Sequence, residues 1–160
     1  KKCVTDKCAE RAVLLENRAE SRGGALYLDK GGILEAWDVN LLSNWADGDG
    51  GAIYAGHRSK CTLRGVEFRR NKAMGDGGAV FATDTKVHLE MSDNLRPPKR
   101  PCLFEANSVP DGEGGAVLVE RSGSADFLDV IFSGNGIGTD HSDVLVAEVL
   151  WQYGDLHLQQ

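Results

Sequence analysis

The stretch N-K-A-M-G-D-G-G-A-V-F-A, Asn71 to Ala82, decides the fold. Taken alone, its glycines and aspartate ahead of a short apolar run read as a phosphate or calcium loop. A phosphate loop requires Lys-Ser/Thr after the glycines and then a helix, whereas here Ala79-Val80-Phe81 follows with strand character. The same words recur elsewhere in the chain, and the recurrence replaces the loop reading.

The glycine pair returns as Gly23-Gly24-Ala25-Leu26-Tyr27-Leu28, Gly50-Gly51-Ala52-Ile53-Tyr54-Ala55, Gly77-Gly78-Ala79-Val80-Phe81-Ala82 and Gly114-Gly115-Ala116-Val117-Leu118-Val119. The first three copies are 27 residues apart and the fourth follows 37 later, with Ser92 to Pro101 (S-D-N-L-R-P-P-K-R-P) reading as an inserted loop. A second word keeps the same period: a large apolar residue, two variable residues, then Asn. It gives Leu14 with Asn17, Leu41 with Asn44, Phe68 with Asn71, Phe104 with Asn107 and Phe132 with Asn135. After Asn135 the glycines are lost, and Ser142 to Val146 occupies the expected slot.

Between the words lie short apolar segments with period-2 character. Examples are Ala79 to Ala82, Val87 to Met91, Cys61 to Leu63 and Phe127 to Phe132. Two or three strands in each repeat predict one turn of a parallel β-helix, an all-β solenoid of five to six coils of about 27 residues. Stacked at about 4.8 Å per coil, the whole would be roughly 25–30 Å long. No single coil buries its apolar side alone, so the coils stack and the ends need caps. The boundaries expected are residues 1–13 as an amino-terminal cap or incomplete coil, 14–148 as repeats with the insertion at 92–101, and 149–160 as a carboxy-terminal cap or incomplete coil. Only Asp6 to Arg18 and Val144 to Tyr153 leave room for a helix.

The repeated residues have structural readings. One glycine of each pair (Gly23, Gly24, Gly50, Gly51, Gly77, Gly78, Gly114, Gly115) supplies a positive φ at a corner, and the absent side chain lets coils approach. The acids before them, Asp49, Asp76 and Glu113, give way to Arg22 in the first coil, against a calcium repeat. Asn17, Asn44, Asn71, Asn107 and Asn135 are expected to stack as an amide ladder, each side chain offering two donors and an acceptor. Leu14, Leu41, Phe68, Phe104 and Phe132 read as an internal column. Tyr27, Tyr54, Phe81 and Leu118 lie on the opposite strand face from Leu26, Ile53, Val80 and Val117. If the latter column is inside, the aromatics form an external stripe able to stack on sugars or dock protein; if not, they are core. The core placement is the expectation.

The pattern G-G-A-[ILV]-[YFL] paired with F-x-x-N resembles the repeat of the chlamydial polymorphic outer membrane proteins, which are autotransporter passengers. Similar repeats occur in secreted proteins of algae and other protists. The resemblance runs from about Leu14 to Val146. It implies a right-handed parallel β-helix, export to the cell surface or beyond, and an adhesive or structural role with no defined catalytic residues and no cofactor. Nothing at Lys1 resembles a signal peptide, so a processed protein or excised fragment is expected.

Bulk properties agree. A net charge of −6 argues against a nucleic-acid surface, and the Arg69-Arg70-Lys72 group and the Arg96 to Arg100 stretch read as solvated surface. No apolar run reaches the ~20 residues of a membrane span. A polysaccharide lyase or hydrolase would set paired carboxylates on adjacent coils, but the slot after the first strand reads Asp29, Gly56, Thr83, Glu120, and Asp126 with Asp129 stands alone. His57, His88, His141 and His157 show no metal-ligand spacing. Cys3, Cys8, Cys61 and Cys102 make an even count compatible with two disulfides, Cys3 with Cys8 and Cys61 with Cys102, although other pairings and free thiols stay open. The function expected is a non-catalytic extracellular scaffold, adhesin or assembly subunit, partnered by protein chains or by glycans. The alternative is a carbohydrate-active enzyme or sugar-binding module.

Overall fold

A computed structural model describes residues 11–90, 100–121, 123–137, 150–152 and 156–159. Its elements are all strands. The first level holds β1 (Ala12–Leu15), β2 (Arg18–Ala19), β3 (Leu26–Leu28) and β4 (Ile33–Trp37). The second holds β5 (Val39–Leu42), β6 (Trp45–Ala46), β7 (Ile53–Ala55) and β8 (Lys60–Arg64). The third holds β9 (Glu67–Arg69), β10 (Lys72–Ala73), β11 (Val80–Thr83) and β12 (Lys86–Glu90). The fourth holds β13 (Cys102–Glu105), β14 (Ser108–Val109), β15 (Val117–Glu120) and β16 (Ser124–Leu128). β17 (Val130–Ser133), β18 (Gly136–Ile137), β19 (Leu150–Gln152) and β20 (Leu156–Gln159) follow.

Each strand pairs in parallel with the strand four places on, giving four five-stranded sheets, β1-β5-β9-β13-β17 and its three counterparts. The chain is therefore a parallel β-solenoid of about four turns. The step between levels is 27 residues for Asn17–Asn44 and Asn44–Asn71, 36 for Asn71–Asn107 and 28 for Asn107–Asn135. Register follows the repeated words: Leu14, Leu41, Phe68, Phe104 and Phe132 are successive partners. The two-residue strand after each Asn is a fourth strand per level that periodicity could not reveal, because two residues carry no period. Ala12–Leu15 and Leu150–Gln152 are strands, which removes the helical readings over those residues. The rest of both helical windows, and residues 91–99 of the insertion, lie outside the described residues.

Inward side chains alternate along each strand and make one continuous core. Sheet by sheet it takes Leu41, Phe68 and Phe104, then Ile53, Val80 and Val117 with Ala55, Ala82 and Val119, then Cys61, Leu63, Val87, Ala125 and Phe127. A large apolar side chain buried this way contributes about 1.5–3 kcal/mol. Phe68, Phe104 and Phe132 stack face to face, at 4.5 and 5.0 Å between centroids.

The expected Cys61–Cys102 disulfide is absent, and this corrects the cysteine reading. Both are buried thiols on different sheets, β8 and β13. The Cys102 sulfur accepts from the Val66 N–H at 3.4 Å and donates to the Leu63 carbonyl at 3.5 Å, so it is committed to the β8–β9 corner. Cys3 and Cys8 lie outside the described residues. Burial pushes the Cys61 thiol up to about 12, helped by the neighbouring Cys102, and burial pushes Cys102 up to about 11.

Among the described residues the corners bend through left-handed residues. Gly50 has φ 69°, and a Cβ there would meet the Ile53 carbonyl oxygen at 2.2 Å. Gly51 solves a different problem: a Cβ would lie 2.2 Å from the Gly78 oxygen and 2.6 Å from the Lys72 carbonyl carbon of the next level. Its missing side chain is what lets the levels close at hydrogen-bonding distance.

Gly51→Ala is expected to cost several kcal/mol or abolish folding, by steric conflict with backbone that cannot move. Gly31→Asn, at an exposed corner with open space around the Cα and a φ that Asn tolerates, should leave the urea midpoint nearly unchanged. The Cys61 and Cys102 thiols should resist alkylation at neutral pH and react fully in denaturant. Their raised values leave stability flat below the ordinary thiol value of 9.0. They erode it as pH rises from there toward 11–12, because the unfolded chain then sheds protons that the fold retains. The alkaline slope should be shallower in Cys61→Ala.

Candidate functional site

The repeated polar residues meet in columns along the solenoid. In the asparagine column, Asn44 Nδ2 donates to Asn71 Oδ1 at 2.9 Å and to the Leu14 carbonyl at 3.0 Å. Asn71 does the same to Asn107 and Leu41, and Asn107 to Asn135 and Phe68. Each Oδ1 from Asn44 to Asn135 also accepts the backbone N–H of the preceding Asn at 3.0 Å. The three inner asparagines are buried, and both amide hydrogens and the oxygen of each are satisfied. The residue before every Asn (Glu16, Ser43, Arg70, Ala106, Gly134) is left-handed, with φ of 53–58°. That bend aims the Asn side chain along the solenoid axis.

A second polar column stands beside the glycine corner. Asp49 Oδ1 accepts the Asp76 N–H at 3.2 Å, and Asp76 Oδ1 accepts the Glu113 N–H at 2.7 Å. Arg22 reaches Asp49 Oδ2 at 3.1 Å in place of a first acid. These acids cap backbone on the next level. A glycine that the sequence reading passed over makes room for them. A Cβ on Gly75 would sit 2.4 Å from Asp49 Oδ1, and one on Gly112 would sit 2.7 Å from Asp76 Oδ1. The signal was present as Gly48, Gly75 and Gly112, each two residues before the glycine pair's first member.

The aromatic column forms a small cluster of its own, Tyr54, Phe81 and Leu118, on the strand face opposite Ile53, Val80 and Val117. Tyr54 and Phe81 are 2% and 4% exposed, whereas Tyr27, at the first level, is 55% exposed. The rings stack at 5.0 Å (Tyr27–Tyr54) and 5.4 Å (Tyr54–Phe81), and the Arg22 guanidinium lies 4.9 Å from the Tyr54 centroid. Burial raises the Tyr54 hydroxyl pKa, with Arg22 opposing.

Two surface clusters were not singled out from the sequence. On β6, Trp45 lies between Arg18, 5.6 Å from its centroid, and Lys72 Nζ at 4.6 Å, and its Nε1 donates to Asp47 at 2.6 Å. The indole N–H, and less strongly Arg18, hold the Asp47 carboxyl below its ordinary range against partial burial. Arg18, Trp45 and Lys72 occupy the same position after the Asn word, so the stack was legible in the repeat alignment. The second cluster is an open cleft at the corner after β3, β7 and β11, lined by Asp29, Lys30, Gly31, His57, Arg58 and Asp84. His57 Nδ1 and Asp29 Oδ1 are 2.8 Å apart. At Asp29, burial acts to raise the carboxyl, but the Lys30 N–H, His57 and the Tyr27 hydroxyl together bring it below its usual value.

Asp126 pairs with Lys86 at 3.0 Å, while Asp129 forms a left-handed corner. His88, Asp126 and His157 share a register position, and His141 lies outside the described residues. Among the described residues no group of three or more His, Cys, Asp or Glu side chains is placed to hold a metal ion, and no helix is long and apolar enough to cross a membrane.

Residues 38–56 match the model of the Chlamydia polymorphic membrane protein repeat. No curated protein and no solved structure matches the chain. The matched residues run from the Asp38 corner through Asn44 and the Gly50–Gly51 pair, and so contain both repeated words once.

Asn71→Ala should lower stability by a few kcal/mol, since it orphans the Asn44 amide and the Leu41 carbonyl inside the column. Asn71→Asp should cost at least as much, because a carboxylate cannot donate to Leu41 or Asn107 and would face their oxygens buried. Asn17→Ala, at the exposed end, should cost under about 1 kcal/mol. Equilibrium urea unfolding of the three variants checks the ranking.

Proposed function

We propose that the chain is a non-catalytic segment of a right-handed extracellular β-helix, serving as adhesin, structural scaffold or assembly subunit of a cell-surface protein. The observation that carries this reading is the use to which the repeated residues are put. The buried asparagines, Asp49 and Asp76, the corner glycines and the internal rings are taken up by contacts with neighbouring levels rather than aimed into a shared cleft. The polymorphic membrane protein repeat over residues 38–56 supports the same role and an exported location. On this reading the chain comprises five to six coils between residues 14 and 148, with a cap or incomplete coil at each of 1–13 and 149–160 and an inserted loop at 92–101. Its partners are other protein chains or domains.

A sugar-binding module is the second reading, favoured by one specific feature. The exposed Tyr27 ring stands beside Asp29, its hydroxyl 3.4 Å from Oδ2, at the rim of the cleft containing His57, Arg58 and Asp84. A ring face next to charged hydrogen-bonding groups suits a glycan.

Incubation with a panel of polyuronates and neutral polysaccharides should release no reducing ends, and a glycan array should give no signal that Tyr27→Ala removes. Product release would overturn the scaffold reading. A Tyr27-dependent array signal would replace it with the sugar-binding one.

A further inference from the structure

The cleft at the corner after β3, β7 and β11 is built from unusual backbone. His57 and Arg58 hold φ of 38° and 62°, the one place among the described residues where two consecutive non-glycine residues are left-handed. The first level makes the same corner with Lys30 and Gly31, at 52° and 83°, so its second bend falls on a glycine. The Gly31 N–H donates to the His57 carbonyl at 3.0 Å, and the Arg58 N–H to the Asp84 carbonyl at 2.8 Å, which sets the three levels in order. A glycine at position 58 would hold that bend without strain, whereas arginine there puts a guanidinium on the surface of the corner. Strain of this kind points to a use for the side chain that bears it.

The crossing also changes length at this point. Between the register partners Ala55–Ala82 and Lys60–Lys86 the second level has four residues and the third has three. The cleft, about 790 Å³, lies where this shorter crossing meets the two before it, a volume that suits a small ligand. Inside the corner the buried Ser59 and Thr85 hydroxyls are 2.9 Å apart and tie the second level to the third. The charges around the cleft are unevenly committed. Asp29 accepts from the Lys30 N–H at 2.8 Å and stands 2.8 Å from His57 Nδ1, and Asp84 lies 4.0 Å from Arg121. Lys30 and Arg58 are exposed and form no ion pair among the described residues, and the same is true of Lys60 beside them.

We infer that this cleft binds an acidic sugar, its carboxylate or sulfate held by Lys30 and Arg58 and its hydroxyls by Asp29 and Asp84. Uncommitted cations call for an anionic group, and the carboxylates next to them call for hydroxyl donors on the same ligand. An acidic sugar carries both side by side. An acidic peptide segment would bring its carboxylates against Asp29 and Asp84, and a long polyanion would meet the chain's net charge of −6 beyond the cleft. The inference rests on the adhesin form of the proposed function, for which it names a site and a ligand class. It places the affinity on the two cations and not on the Tyr27 ring, and it involves binding without bond cleavage.

Calorimetric titration of the full chain at low salt tests this, with an oligogalacturonate and a heparin-derived hexasaccharide as probes. Their methyl-esterified and desulfated forms, and an oligoglutamate, serve as comparisons. At least one acidic sugar should bind, about tenfold or more tighter than its neutral form and than the peptide. Arg58→Gln and, separately, Lys30→Gln should each weaken it by about tenfold. Arg70→Gln is the matched control, an exposed arginine of similar φ (55°) on another corner, and should leave the affinity unchanged. The inference is overturned if neither acidic sugar binds, if the neutral forms or the peptide bind as tightly, or if Arg70→Gln weakens binding as much as Arg58→Gln. Each of those results leaves the scaffold reading standing, whereas new reducing ends during the titration would remove that reading and leave the measured affinities as they are.

Discussion

Successive levels of this solenoid are tied by backbone hydrogen bonds of about 3 Å, as between Ile53 N–H and Ala79 oxygen at 2.9 Å, and every other feature has to fit that spacing. Parallel strands that close together leave each side chain directly beneath its counterpart. A residue type therefore survives in a column only if it can stack on itself or on its replacement. Phenylalanine does so through ring faces, asparagine through an amide that both donates and accepts, and glycine by offering nothing to collide with. Aspartate does so only because it turns toward backbone N–H groups and because glycine two positions from the corner leaves it room. The repeat in the sequence is the imprint of this spacing.

The corners show how the spacing is made compatible with turning. Each level needs several left-handed residues to bend the chain between its strands, and many of them are not glycine. Ser43, Arg70 and Ala106 hold φ of 53–55°, a conformation that costs an ordinary residue about 1–2 kcal/mol. Their side chains point outward, where composition is free, and the following Asn offsets the strain through the hydrogen bonds that the bend makes available. Glycine is required at places such as Gly51, where a neighbouring level's backbone would occupy the space of a Cβ.

Much of this was legible in the sequence. The 27-residue period, the in-register asparagines and the alternation within strands identify a parallel solenoid, because self-stacking forces each column to repeat. The two-residue strands after Asn were not legible, since pairing there is set by levels above and below and not by local pattern. Nor was the fate of Cys61 and Cys102. The second and fourth levels bring both sulfurs into the interior, but Cys102 bonds the backbone of the Leu63–Val66 corner, a geometric detail that an even cysteine count cannot supply. The Tyr54 and Phe81 rings posed a choice between outside and core. They lie on the outward strand face and are buried there, an arrangement that period-2 reasoning by itself does not contain.

The longer step between Phe68 and Phe104 carries a consequence for how such a chain can vary. Although they stand 36 positions apart in the chain, these rings stack at 4.5 Å, the tightest spacing in their column, and Asn71 meets Asn107 at the same 2.9 Å as its neighbours. The geometry of the levels is thus indifferent to the length of chain between β12 and β13. Closing a longer loop costs only a slowly growing entropy, well below 1 kcal/mol for a modest extension. That corner is an expansion port. Sequence can be added between β12 and β13 while the framework keeps its register, so the chain can vary in length there without rebuilding the levels on either side.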